Sequence, residues 1–185
     1  MTEENTDQRL PTADEEARFW RLLESAWAPL GDGTNEARRS LATRPAGDAD
    51  ASLISVIDEG LEGFLGGLTD QARGLSAAEL TELDRVLERK LYDIDRADIQ
   101  AVTDGSDDGF LYARGFIVAL GHDYYTAVLH NSKMAVLDAE CEDMCYFFAH
   151  LHEELFGDFP ETDSGISRES CSNPLGWPAD TSAAD

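Results

Sequence analysis

Ser106, Asp107 and Asp108 stand side by side where an apolar run begins, Arg114 lies inside that run, and His122 follows the glycine that ends it, Gly121. Two adjacent carboxylates can hold a divalent cation or move a proton, with Asp104 as a further oxygen ligand. An arginine fork suits a carboxylate or phosphate of a ligand, and histidine titrates near neutral pH. Each of these residues also has a structural reading. Serine and aspartate in a first helical turn accept from exposed N–H groups and complement the positive end of the helix. An arginine in an apolar helix needs a partner, and Asp107, Asp108, Asp93 and Asp95 are the sequence candidates. Capping and an ion pair account for most of the segment.

A second constellation is Cys141, Cys145, Phe148 and His152, which fall on one stripe at about 100° per residue. Cysteine and histidine so spaced can bind zinc, with Cys171 or His150 completing a tetrahedron. No Cys-x-x-Cys pair is present, and a cysteine beside Met144 and Phe148 packs well in a core. No metal and no cofactor are expected. Tyr124, Tyr125 and Trp177 are the candidates for partner contact, since aromatics after a helix stop either staple the core or form a binding surface.

The elements that must position these groups read as helices. Thr12 with Glu15, and Ser76 with Glu79, have capping-box spacing. Behind the first box Phe19, Leu23, Ala26, Trp27 and Leu30 share one face, and behind the second Leu80, Leu83, Leu87, Leu91 and Ile94 do. Leu53, Ile57, Leu61, Phe64 and Leu68 make another stripe, diluted by Gly60, Gly63, Gly66 and Gly67. Residues 31–50 show no periodicity and read as a loop. The turn at Asp104–Asp108 leads into a helix ending at Gly121, two short pieces follow, and a strong helix is expected from about Ala139 to Leu155. No alternating strand pattern is present. The fold class is all-α: a compact single-domain bundle of about five to seven helices with flexible acidic termini. Residues 1–11 read as a disordered acidic tail, 12–157 as the helical domain and 158–185 as an irregular C-terminal tail.

Composition narrows the function. Of 185 residues, 38 are acidic and 14 basic, a formal net charge of −24. Such a field repels phosphate backbones and anionic membranes, so neither nucleic acid nor membrane is an expected partner. A basic protein or peptide is. Three cysteines point to a reducing compartment. The acidic N-terminus is neither signal nor transit peptide, and no apolar run approaches the roughly 20 residues of a membrane span. The protein is expected to be cytoplasmic.

Phe19-Trp20-Arg21-Leu22-Leu23, Leu91-Tyr92-Asp93-Ile94-Asp95 and Gly105-Ser106-Asp107-Asp108-Gly109-Phe110 with Arg114 resemble a family of small, mostly bacterial proteins known as the domain of unknown function DUF4240. The resemblance matches Ser106, Asp107, Asp108, Phe110, Arg114, Gly121 and Tyr125. Phe116 stands where the family has tryptophan, and Asn131-Ser132 where it has Pro-Asp. The resemblance implies an all-α fold and supplies no known activity; the charge of −24, the absence of a complete catalytic motif and the structural roles open to the motif residues carry the functional reading. The first functional expectation is therefore a non-catalytic acidic helical protein that binds a protein or peptide partner in a regulatory or immunity-like role. The alternative is a small enzyme or ligand-binding protein with a polar pocket around Asp107, Asp108, Arg114 and His122.

Overall fold

A computed structural model describes residues 8–48, 51–103 and 106–177; Ala49, Asp50, Asp104 and Gly105, and the chain's first seven and last eight residues, lie outside them. The described residues are helical with no strand. In order they form α1 (Ala13–Trp27), a 3-10 turn, α2 (Asp32–Thr43), α3 (Ala51–Ala72), α4 (Ala77–Asp93), α5 (Ala97–Gln100), α6 (Asp107–Ala119), α7 (His122–His130), a second 3-10 turn, α8 (Glu142–Cys145) and α9 (Phe147–Phe156). The count exceeds five to seven because short segments fold as separate helices.

Local signals set the starts. Thr12 and Ser76 each accept from the N–H three residues on while Glu15 and Glu79 reach back, so both capping boxes are complete. Ser106 caps α6 by accepting from the Gly109 amide at 3.1 Å. Gly121 joins α6 to α7 with a φ of 95° and ψ of 179°, a conformation that only glycine adopts freely. The core lies between α1, α3, α4, α6 and α9, where Phe19, Leu23, Trp27, Phe64, Leu87, Leu91, Phe110 and Phe148 are all buried. Trp27 stacks on Phe64 at 4.6 Å between ring centroids and donates from Nε1 to the Ala119 carbonyl at 2.7 Å.

Two elements differ from expectation. Residues 32–43 form α2 rather than a loop, because the residue facing inward between Ala37 and Leu41 is an arginine. Arg38 is buried; it lies 4.6 Å over the Trp27 ring, pairs with Glu24 at 2.7 Å and donates to the Leu120 carbonyl at 2.7 Å. It thereby satisfies an end carbonyl of α6. The helix expected from Ala139 to Leu155 is broken at Tyr146, whose φ of −128° and ψ of 20° separate α8 from α9.

Residues 158–177 are irregular, and they are packed as a strap over α4 and α6. The residues they bury are polar: Ser164, Arg168 and Asn173. Arg168 makes a two-pronged pair with Asp84 at 3.1 and 2.8 Å, donates to the Cys145 carbonyl at 2.8 Å, and lies 4.8 Å over the Tyr146 ring. Asp95, fully buried, accepts from the amides of Cys171, Ser172 and Asn173 and from Trp177 Nε1. Trp177 also meets Phe110 edge to face.

Candidate functional site

The sequence candidates disperse. Asp107 and Asp108 are exposed at the first turn of α6, while His122 follows that helix's far end. A rise of about 1.5 Å per residue puts roughly 18 Å of helix between them. His122 packs edge-on against Trp20 at 5.5 Å and sits 3.6 Å from the Asp123 carboxylate. These residues therefore do not share one opening.

Arg114 is fully buried in mid-helix and forms no ion pair with either aspartate. Its guanidinium donates to the Leu91 carbonyl at 2.9 Å and to Ser170 Oγ at 3.1 Å, and lies 4.8 Å from the Phe110 ring centre. Its Nε has no partner. Burial depresses its pKa, against the attraction of Asp95. Asp95 is engaged elsewhere by four N–H donors of the strap. Arg114→Met keeps most of the volume and removes a buried charge that no carboxylate pairs directly among the described residues, which offsets the loss of the donor to the Leu91 carbonyl. Arg114→Met is accordingly expected to change unfolding free energy by less than about 2 kcal/mol in a urea titration. A loss well above that would mean the guanidinium is a principal tie of the fold.

Tyr124 and Tyr125 are core residues. Tyr124 donates to the Met134 carbonyl at 3.0 Å, Tyr125 to the Lys90 carbonyl at 3.2 Å, and burial raises both phenols above their ordinary range. They staple α7 to its neighbours and offer little surface to a partner. Trp177 is half-buried against its own domain.

Cys141, Cys145 and His152 do not share a helix, because the break at Tyr146 intervenes. Cys145 Sγ donates to the Leu111 carbonyl at 3.3 Å, and His152 Nδ1 lies 2.7 Å from the Asp158 carbonyl. Burial pushes the thiols of Cys141 and Cys145 up to about 11 and about 12, so both are neutral at pH 7 and poor nucleophiles. Among the described residues no three Cys, His, Asp or Glu side chains are grouped to hold a metal. Iodoacetamide on the native protein should modify Cys171, the exposed cysteine, and reach Cys141 and Cys145 after unfolding. Peptide mass mapping would read this; native labelling of Cys145 would contradict the burial described.

The open surface lies elsewhere, at α9. A cleft of about 480 Å³ runs between α3 and the α8–α9 pair. Its floor is apolar, formed by Leu65, Phe147 and Leu151, and its rim is acidic, formed by Glu62, Asp143 and Glu154. Among the described residues, Arg73 pairs with Glu154 at 2.8 Å and offsets part of that charge. Gly66 lines the cleft on α3, and a side chain there would meet nothing within 4 Å. The absent side chain keeps the floor open. His150 stands on the far wall and also lines a second cleft of about 470 Å³ beneath the strap. There it stacks on Tyr146 at 5.8 Å and approaches Phe159 at 6.1 Å. Burial and the Glu169 carboxylate hold Tyr146 up at about 12, as a neutral phenol.

No single motif foretold this cleft. The helical spacing of Leu61, Phe64 and Leu68 was legible, but the half-buried row beside it, with glycines 66 and 67, reads as dilution until α9 is placed opposite. The family model described as "Protein of unknown function (DUF4240)" matches residues 49–154, a span from α3 to α9 that includes the cleft. No curated protein and no solved structure matches the chain.

Proposed function

Since the chain belongs to this family of unknown function, its role must be read from its own surface, and we propose that it is a non-catalytic acidic protein that binds a basic protein or peptide at the α3–α9 cleft, in a regulatory or immunity-like role. One observation carries this reading: an apolar floor framed by three carboxylates, Glu62, Asp143 and Glu154, on a chain of net charge −24. A basic amphipathic helix offers the complement, apolar anchors for Leu65, Phe147 and Leu151 and cations for the rim.

The rest of the charge distribution supports it. Arg18, Arg38, Arg85, Lys90 and Arg168 each meet a carboxylate of the same chain. These five basic side chains are thus engaged within the chain, against an excess of 24 acidic charges. No helix among the described residues is long and apolar enough to cross a membrane.

Blocking the cleft tests the reading without disturbing the fold. Gly66→Leu places a side chain in open space on a helix, where leaving glycine should itself stabilise by up to about 1 kcal/mol. A synthetic basic amphipathic helix of alternating Lys and Leu faces is expected to bind the wild type and to lose at least tenfold in affinity against Gly66→Leu. Glu62→Lys with Asp143→Lys should do the same, and raising salt should weaken the wild-type complex. Equal calorimetric binding to wild type and Gly66→Leu would refute the assignment.

A further inference from the structure

The strap fills a groove whose charged residues rely on it. Asp84 meets Arg168 through both oxygens; Glu88 accepts from Thr162 at 2.7 Å and Ser164 at 2.5 Å; Asp95 accepts from four strap donors; Arg114 donates to Ser170. All four residues are buried, on α4, at its exit, or on α6. The family match contains all of them and ends at residue 154, ahead of the strap.

The strap itself adds almost nothing to the apolar core. The buried apolar residues end at Leu151, and after it Trp177 is the one strap residue that packs against the core, partly buried. Leu175 is 97% exposed and Phe159 55% exposed. Polar latches hold the segment, and its attachment lacks the dense apolar contact that makes an element inseparable from a domain. Arg114, fully buried with an Nε that has no hydrogen-bond partner among the described residues, faces the same groove and donates there to the Ser170 hydroxyl.

We infer that the groove along α4 and α6 is a binding site for an extended, arginine-bearing peptide segment of a partner protein, and that residues 158–177 occupy it as a built-in competitor. The incoming arginine takes the seat of Arg168 between Asp84, Glu88 and the Tyr146 ring. Backbone amides four and five residues further on take the place of those of Ser172 and Asn173 on Asp95. Lifting the strap removes the counter-ion of Asp84 and the donors to Glu88 and Asp95, and the incoming segment restores them, which avoids leaving buried charge unpaired. This groove is separate from the α3–α9 cleft, and the inference holds whether or not that cleft binds.

Gly176 provides the handle. A side chain there would run into the carbonyl oxygen of Asp95 and come within 3.0 Å of Arg96 Cγ. Gly176→Val therefore drives the strap's end away from Asp95 while substituting no residue of the groove. The probe is a synthetic peptide of residues 158–177, carrying serine at position 171. By calorimetry it should bind Gly176→Val at least tenfold tighter than wild type, since a closed strap lowers apparent affinity by the fraction of time it is open. The same peptide with alanine at position 168 should lose that binding. Failure of the peptide to bind a Gly176→Val protein that keeps its helical circular dichroism would overturn the inference. Exchange of straps into a stable dimer, seen by light scattering, would overturn the assignment to a partner. Should Gly176→Val not fold, wild-type hydrogen exchange decides. The Cys171, Ser172 and Asn173 amides must open at least tenfold more often than those of Leu83–Leu91; exchange of both only on global unfolding makes the strap an inseparable part of the domain.

Discussion

Gly115→Val is expected to destabilise the protein by about 3 kcal/mol or more, at the upper end of overpacking costs. Gly115 lies within α6 and is buried. A Cβ added there would collide with the backbone carbonyl oxygen of Cys141 and come within 2.7 Å of Cys145 Sγ. The carbonyl cannot retreat easily, because the Cys141 amide is bonded to the Tyr112 carbonyl at 3.0 Å on the same helix. Glycine in mid-helix ordinarily costs about 1 kcal/mol relative to alanine, so its presence here reflects the close approach of α6 and α8. Thermal unfolding should fall by on the order of 10 °C for a domain of this size. A melting temperature unchanged or raised would show that α8 does not sit against α6 as described.

Trp27→Ala should cost about 3–5 kcal/mol, the range for removing a large aromatic from a core. The indole joins three parts of the chain: it stacks on Phe64 of α3, lies under Arg38 of α2 and donates to the Ala119 carbonyl at the end of α6. Its removal leaves a cavity and an unmatched carbonyl together. Trp27→Phe keeps much of the apolar area and loses the hydrogen bond, so it should fall between the two in a guanidinium titration. If Trp27→Ala and Trp27→Phe cost the same, the stacking contribution is absent and the packing around α2 is wrong.

What could be read in advance follows from the range of the interactions. The starts of α1 and α4 were legible because a capping box closes within three residues, at Thr12–Glu15 and Ser76–Glu79. The stripes of α3 and α4 were legible because they repeat at the helical period. The helix over residues 32–43 was not, since its inward face depends on Arg38, whose partners Glu24, Trp27 and Leu120 come from three other elements. The break at Tyr146 was hidden by an unbroken apolar pattern. Arg114 was singled out correctly as a residue needing partners. Asp107 and Asp108, nearest in sequence, are not those partners; Leu91 and Ser170 are. The strap's hold was the least legible, because Arg168 finds Asp84 at a separation of 84 residues. A stretch rich in Gly, Pro and Ser carries no local sign of it.

The proposed binding site is tested most directly by mapping where a bound basic amphipathic peptide protects the protein from hydrogen exchange. The cleft predicts slowed exchange confined to α3 around Glu62–Thr69 and to Asp143–Glu154 on α8 and α9, disappearing in Gly66→Leu. Protection centred on Asp107, Asp108 and His122, with those two helices unchanged, would contradict it and return the site to the ends of α6.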